Sequence, residues 1–241
     1  TAQGQPSYTV KYKNQDVILP STLGIELKDV PALEKGFSLI NSAEKSMDEP
    51  WTPVMGEYAV IQNKYNQLTL SLQQKETGRL MNIIFKVYDE GVAFRYEFPK
   101  QPNLNYFIIK EENTQFNLAG NHKTFWIPGD YDSQEYVYNE TPFSDIDVAK
   151  LDMNNGIGLK TIRDNHRIQS PLMMKTANGL YLNIFEAAVV NYPVMHLNSV
   201  PAKNQLTSHL VPNAIGDKAY LQTPAVSPWR TIFVSDDARK I

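Results

Sequence analysis

The stretch Gly179-Leu-Tyr-Leu-Asn-Ile-Phe-Glu186 decides the fold class of this chain. Its apolar residues recur at every second position, which is the period of a β-strand and not of a helix. In a regular strand, Leu182, Ile184 and Glu186 therefore lie on one face. An unpaired carboxylate is costly to bury in such an apolar row. Glu186 thus needs a cation, a proton or an exit to solvent.

The same alternation recurs along the chain and predicts an all-β fold. The clearest further strands are Tyr8–Tyr12, Leu68–Leu72, Ile83–Val87, Val92–Phe98 and Arg230–Ser235. Their number and close spacing predict a large β-sandwich of two packed antiparallel sheets, with more strands than an immunoglobulin domain. With 241 residues, 42% of them hydrophobic, the chain can form one large core. We expect a single domain over residues 1–241.

Three hairpins follow from the turn residues. Asn14-Gln15-Asp16 joins the first two strands, and Asp89-Glu90-Gly91 predicts a three-residue turn in which Gly91 supplies a positive φ. Asn178-Gly179 predicts a two-residue turn that leads into the strand of Glu186. Between Ser133 and Arg167 the alternation lapses, and we expect a long excursion there. It contains Asn154-Asn155-Gly156, and we expect one short helix in it, over 145–151.

Composition excludes several classes of function. The net charge of -3, with no cluster of basic residues, argues against nucleic acid as a partner. No apolar run approaches the roughly 18 residues of a membrane-spanning helix. The chain has no cysteine, which excludes disulfides and thiol chemistry.

Enzyme motifs are also missing from the sequence. There is no phosphate-binding glycine loop, no Gly-x-Ser-x-Gly and no His-Glu-x-x-His. The four histidines have no metal-ligand spacing, and each is interpreted as a loop or satisfied interior residue: His122, His166, His196 and His209.

The segment Phe125–Tyr136 combines aromatic and acidic residues. It lacks the spacing of an EF-hand calcium loop. Trp126 and Tyr131 could present flat faces to a sugar ring while Asp130 accepts hydrogen bonds from its hydroxyls. The alternative is an aromatic corner packed under the Pro-Gly turn. We predict substrate contacts by Trp126, Asp130 and Tyr131, with that alternative open.

Several strings of the sequence resemble the N-terminal domain of glycoside hydrolase family 97, and they occur in the same order over nearly the whole chain. They are Val17–Leu27, Gly91–Pro99, Phe125–Asp132, Leu172–Lys175, Gly179–Ala188 and Thr223–Ala238. The resemblance implies a sandwich like that of galactose mutarotase, followed by a catalytic barrel and a small C-terminal β domain. It also implies an α-glucosidase or α-galactosidase that is periplasmic or exported.

In that family the catalytic carboxylates lie on the barrel, so the resemblance implies that this chain alone does not hydrolyse its substrate, an oligosaccharide or α-glycoside. The N-terminal domain of the family contributes one glutamate to a calcium ion beside the catalytic centre. Glu186 matches that glutamate within its Asn-x-x-Glu-Ala-Ala segment. The resemblance thus implies a partial Ca²⁺ site at Glu186, completed by the C-terminal catalytic barrel of the same polypeptide.

Two other functions stay open at this point. One is a stand-alone carbohydrate-binding or mutarotase-like module, whose epimerase form needs a general acid and a general base in one cleft, commonly His and Glu. The other is a purely structural sandwich, in which Glu186 faces water without an acidic partner. An accessory domain should expose a larger apolar patch than a self-sufficient module.

Overall fold

A computed structural model describes residues 1–151, 162 and 164–241 of the chain. Two large antiparallel sheets and a small one make up the described part, which confirms the predicted all-β sandwich. The six-stranded sheet has the order β1-β2-β9-β16-β15-β12, formed by β1 (Ser7–Tyr12), β2 (Gln15–Thr22), β9 (Gln115–Leu118), β16 (Gln205–Leu210), β15 (Met195–Val200) and β12 (Arg167–Gln169).

The second sheet has ten strands. Nine follow the order β11-β10-β13-β14-β19-β7-β6-β5-β4, and β18 pairs with β7 at one end. Their bounds are β4 (Phe37–Trp51), β5 (Ile61–Gln74), β6 (Leu80–Tyr88), β7 (Gly91–Phe98), β10 (Lys123–Trp126), β11 (Asn139–Pro142), β13 (Leu172–Lys175), β14 (Tyr181–Ala187), β18 (Ala225–Val226) and β19 (Trp229–Ser235). The third sheet has the order β17-β8-β3, from β17 (Ala219–Gln222), β8 (Tyr106–Glu112) and β3 (Ile25–Leu27).

Helical structure in the described residues is limited to single 3-10 turns at Phe143–Asp145, Val148–Lys150, Pro201–Lys203 and Ala238–Lys240. None of them is long and apolar enough to cross a membrane. The helix predicted over 145–151 is wrong as one element, because two separate turns flank Asp147, whose carboxylate caps the Ala149 N–H at 3.0 Å. The Asn154–Gly156 segment lies outside the described residues.

The three predicted hairpins form, but each turn differs from its prediction. The first is the two-residue turn Lys13-Asn14, with φ of 47° and 64°. The second is Asp89-Glu90, since Tyr88 already pairs with Gly91. Gly91 is required there by close approach, because a Cβ would collide with the backbone of β19. The third spans three residues, 177–179, with Gly179 at φ 89°.

The core lies between the sheets and is one cluster of buried apolar side chains. β14 contributes Leu182 and Ile184, and β15 contributes Leu197, all fully buried. β14 ends at Ala187 in the ten-stranded sheet, and β15 begins at Met195 in the six-stranded sheet. The short segment between them brings the end of one layer next to the start of the other.

Candidate polar site at one end of the sandwich

Glu186 lies on the core face of β14, as its sequence row predicts. Its side chain is 8% exposed, in the same inward row as the fully buried Leu182 and Ile184. In the register of β14 and β19, Glu186 is directly opposite Arg230. Of the three alternatives that the sequence left open for Glu186, the structure shows a cation, the neighbouring guanidinium of Arg230.

Arg230 is fully buried and contacts two carboxylates. Its Nη1 donates to Glu186 Oε2 at 2.6 Å. Its Nε and Nη2 donate to the two oxygens of Glu112 at 2.8 and 2.7 Å, in the bidentate geometry that a guanidinium favours. One positive and two negative groups leave this cluster with a net charge of −1 when all are ionised.

Glu112 is held completely inside the protein. Besides Arg230, its oxygens accept hydrogen bonds from the Tyr192 hydroxyl at 3.0 Å and from Thr114 Oγ1 at 2.9 Å. Thr114 is in turn bonded to the Tyr96 hydroxyl at 2.8 Å. Four hydrogen bonds saturate this carboxylate, so Glu186 is the member of the cluster with spare capacity.

Burial raises the pKa of Glu186 above its ordinary value, although Arg230 and the Met195 N–H oppose the shift. That N–H donates to Glu186 Oε1 at 2.9 Å and connects β15 to the end of β14. For Arg230, burial alone would lower the pKa, but Glu112 and Glu186 raise it above its ordinary range. The guanidinium therefore stays charged, and its two acids compete for it unequally.

A bulge in β8 determines that Glu112 points inward. Glu26 pairs with Glu111, but the next residue of β3 pairs with Ile109, so Lys110 is an extra residue on β8. Simple alternation from the buried Ile109 would turn Glu111 inward. Because of the bulge, Glu111 faces outward and Glu112 enters the core.

Glu111 begins a second chain of polar groups on the outer face of the six-stranded sheet. Its Oε2 lies 2.9 Å from His209 Nδ1, and His209 Nε2 lies 2.9 Å from the Tyr131 hydroxyl. Arg167 Nη1 donates to the same hydroxyl at 2.7 Å. Burial would raise the pKa of Glu111, but the hydrogen bond to His209 and the charge of Lys218 hold it below its ordinary value. Glu111, Tyr131, Arg167 and His209 come from four separate segments, which sequence reasoning did not connect.

The three residues predicted to contact substrate have different environments. Trp126 is 1% exposed, belongs to the buried core and donates its Nε1–H to Thr141 at 2.9 Å. Asp130 is also buried, and its oxygens accept from the Asp132 N–H at 2.9 Å and the Tyr136 hydroxyl at 2.5 Å. Tyr131 keeps partial exposure. Their role toward substrate stays a prediction, for which Tyr131 has the most suitable position.

Two of the four histidines lie together. His196 and His209 are cross-strand neighbours, and both rings lie within 6.0 Å of the Tyr131 ring. Burial, with the charges of His209 and Arg167, lowers the pKa of His196 to about 4. Its Nδ1 has no hydrogen-bond partner among the described residues. His122 is buried as well, and His166 bonds the Ile146 carbonyl at 2.9 Å.

In this structure His209 and Glu111 bond to each other and are not placed as a separate acid and base. A mutarotase-like reaction needs the two groups to reach a substrate from separate positions. Here the imidazole bonds the carboxylate through one nitrogen and Tyr131 through the other. Both ring nitrogens are thus already used within the protein.

Glu186 fits the requirements of one ligand in a calcium site, but the described part of the chain does not supply a complete one. Calcium takes six to eight oxygens, and no group of three or more His, Cys, Asp or Glu side chains is placed to hold a metal among the described residues. The Glu186 carboxylate has about four acceptor positions. Met195 and Arg230 use two of them, and the side chain keeps a small opening to the surface.

Comparison with known proteins gives the family context. Residues 1–241 match the family described as glycosyl-hydrolase 97 N-terminal. A curated retaining alpha-galactosidase of Bacteroides thetaiotaomicron is 23% identical over 214 residues, which are 86% of this chain and 29% of that protein.

Solved structures show the same architecture. A glycoside hydrolase family 97 enzyme from Pseudoalteromonas sp. strain K8, in complex with acarbose, superposes with a TM-score of 0.84 at 30% identity. The match covers 99% of this chain and 34% of the enzyme. A beta-arabinopyranosidase shares the fold, with a TM-score of 0.80 at 23% identity over 97% of this chain and 37% of its own. The chain thus spans about a third of the length of these relatives, and it belongs to the glycosyl-hydrolase 97 N-terminal family.

Proposed function

We propose that this chain is the accessory N-terminal domain of a calcium-dependent, exo-acting α-glycosidase. In that role it contributes Glu186 to a calcium ion and part of the wall of the substrate pocket. The remaining calcium ligands and the catalytic carboxylates belong to the catalytic domain of the same polypeptide. The proposed site of action is the periplasm or the cell exterior.

The main support for calcium binding by Glu186 is the surplus negative charge of the cluster formed by Arg230, Glu112 and Glu186. Glu112 is saturated and fully enclosed, whereas Glu186 has one bond to Arg230 and a small exposed area. Burial makes the charge of Glu186 unfavourable and raises the pKa of its carboxyl, and the negative charge of Glu112 adds to that shift. A cation that approached Glu186 from outside would offset it without disturbing the Arg230–Glu112 pair.

The relatives support an α-glycoside as the substrate. The curated relative is a retaining alpha-galactosidase, and the Pseudoalteromonas enzyme was solved with acarbose. We propose an α-glucoside or α-galactoside for this protein. Tyr131 is the proposed wall residue, since its hydroxyl is fixed by Arg167 and His209 and its ring is partly exposed.

Calcium binding to the full-length protein tests this proposal directly. Glu186→Gln keeps the size of the side chain but removes its charge, so we expect the calcium Kd from titration calorimetry to rise at least about tenfold. Activity should fall in parallel and recover in part at high calcium, because the other ligands remain. Glu140→Gln is the matched control, since Glu140 is an exposed acid that forms an ion pair with Lys123.

Equal calcium affinity in Glu186→Gln and Glu140→Gln would exclude Glu186 as a ligand. A separate assay tests the accessory role. We expect the 241-residue domain alone to hydrolyse neither aryl α-glucosides nor aryl α-galactosides. Turnover by this domain above the buffer rate would show that catalytic groups lie in it.

A further inference from the structure

Glu112 binds Arg230 through more hydrogen bonds than Glu186 does, although it is too deeply buried to touch a ligand. It belongs to β8 of the small sheet, whereas Glu186 and Arg230 belong to neighbouring strands of the ten-stranded sheet. We propose that Glu112 is a positioning residue for the metal site: it neutralises Arg230 and occupies two of its nitrogens, which leaves Glu186 available to a divalent cation. The role rests on the proposed function, in which Glu186 is a calcium ligand.

The charge of Arg230 by itself would oppose a cation at Glu186. Its Nη1 lies 2.6 Å from Glu186 Oε2, so the guanidinium is adjacent to the carboxylate that is proposed to bind Ca²⁺. Two positive groups that share one carboxylate repel each other, most strongly where little water screens them. Arg230 is fully buried, and Glu186 is 8% exposed. The charge of Glu112, which accepts from the same guanidinium at 2.7 to 2.8 Å, offsets that repulsion.

Glu112 also limits how many N–H groups of Arg230 reach Glu186. A guanidinium favours a bidentate pair with one carboxylate. Glu112 takes this geometry through Nε and Nη2, so Glu186 receives a single bond from Nη1. Without Glu112, the guanidinium would be free to turn its two-pronged side to Glu186, which lies directly opposite in the register of β14 and β19. Both oxygens of Glu186 would then be committed to an ion pair inside the domain.

The neighbours of Glu112 hold it in this position. The Tyr192 hydroxyl donates to it at 3.0 Å and Thr114 Oγ1 at 2.9 Å. The Tyr192 ring also lies 5.7 Å from the guanidinium carbon of Arg230. Tyr192 belongs to the segment that joins β14 to β15, so the chain that leaves Glu186 returns to fix Glu112. Because its bonds are all made inside the protein, Glu112 does not compete with Glu186 for the metal ion.

The charge of the bound ion separates this role from a purely structural one. If Glu112 only stabilised the fold, its loss would change the affinity for every cation in the same proportion. The energy of a charge–charge interaction is proportional to the charge of the ion, so the proposed role predicts a larger effect on a trivalent ion than on a divalent one. Tb³⁺ is a suitable trivalent probe, because its radius is close to that of Ca²⁺.

Calcium and terbium titrations of the full-length protein test the proposal. For Glu112→Gln we expect the calcium Kd from calorimetry to rise at least about tenfold. The terbium Kd from luminescence should rise at least about thirtyfold, because the lost charge acted on three units of charge instead of two. The ratio of terbium to calcium affinity therefore falls about threefold. In Glu140→Gln, which removes an exposed acid paired with Lys123, both Kd values should stay unchanged.

A double variant keeps the test valid if Glu112→Gln does not fold. Glu112→Gln combined with Arg230→Met removes one charge of each sign, so no unpaired guanidinium is left in the core and the net charge beside Glu186 is kept. We expect this variant to have the wild-type ratio of terbium to calcium affinity. An equal rise of both Kd values in Glu112→Gln would overturn the inference, as would a ratio about threefold below wild type in the double variant. Calcium binding that Glu186→Gln leaves unchanged would instead refute the proposed function.

Discussion

The two acids that share Arg230 should differ sharply in their contribution to stability, and Glu112→Gln is the decisive substitution. Glutamine keeps the size and one acceptor oxygen of the side chain. Its amide nitrogen, however, would face a guanidinium N–H, donor against donor, where Glu112 now accepts at 2.7 to 2.8 Å. The fully buried Arg230 would keep Glu186 as its one charged neighbour.

The magnitudes follow from burial and bond count. Removing one partner of a fully buried ion pair costs about 3–5 kcal/mol, which we expect for Glu112→Gln. Glu186→Gln removes one bond to Arg230 from a side chain that is slightly exposed, and it also removes the surplus charge. For that variant we expect only about 1–2 kcal/mol.

Urea unfolding of the domain, followed by the fluorescence of its three tryptophans, measures both values. Glu140→Gln breaks an exposed ion pair with Lys123 and should cost less than about 1 kcal/mol. If Glu186→Gln were as destabilising as Glu112→Gln, the unequal sharing of Arg230 would be refuted. A loss in Glu112→Gln no larger than that in Glu140→Gln would refute the structural role of the cluster.

Two further predictions concern acid stability and backbone packing. Folding lowers the pKa of His196 from 6.5 to about 4, so the unfolded chain takes up the proton at a higher pH than the folded protein does. The free energy of unfolding is therefore highest above pH 6.5 and decreases as the pH falls toward 4. We expect this loss to reach about 3 kcal/mol in pH-dependent urea unfolding and to be absent in His196→Gln. Gly91→Ala should cost about 3 kcal/mol, because its Cβ would collide with the backbone of β19. Gly179→Ala has open space and a φ of 89°, so thermal unfolding should show a loss of only about 1 kcal/mol.

The sequence was sufficient to predict the layered β fold and the inward position of Glu186, because both depend on local alternation. It did not identify the cation, because the pairing of β14 with β19 joins residues 44 positions apart. A signal was nevertheless present. Arg230 begins an alternating apolar row with Ile232 and Val234, just as Glu186 ends the row of Leu182 and Ile184. Two such rows, one with an arginine and one with a glutamate, are the signal that the two charges pair.

The outer polar chain could not be predicted from spacing. Glu111, Tyr131, Arg167 and His209 belong to separate segments and meet only through the order of the strands. The histidines were therefore interpreted one by one as loop or interior residues. The turn lengths failed for a related reason, since strand register fixed them more strongly than the turn residues did.

Because Lys110 is an extra residue in β8, the strand should tolerate its deletion. Because Lys110 and Glu111 together fill a single outward position, a chain lacking Lys110 would restore a regular ladder and leave both acids facing as they do now. If β8 kept Lys110 but lost its bulge, Glu111 would point inward toward Arg230 and Glu112 would point outward. The inward position of Glu112 thus tolerates deletion of Lys110. It does not tolerate loss of the bulge in a strand that keeps Lys110.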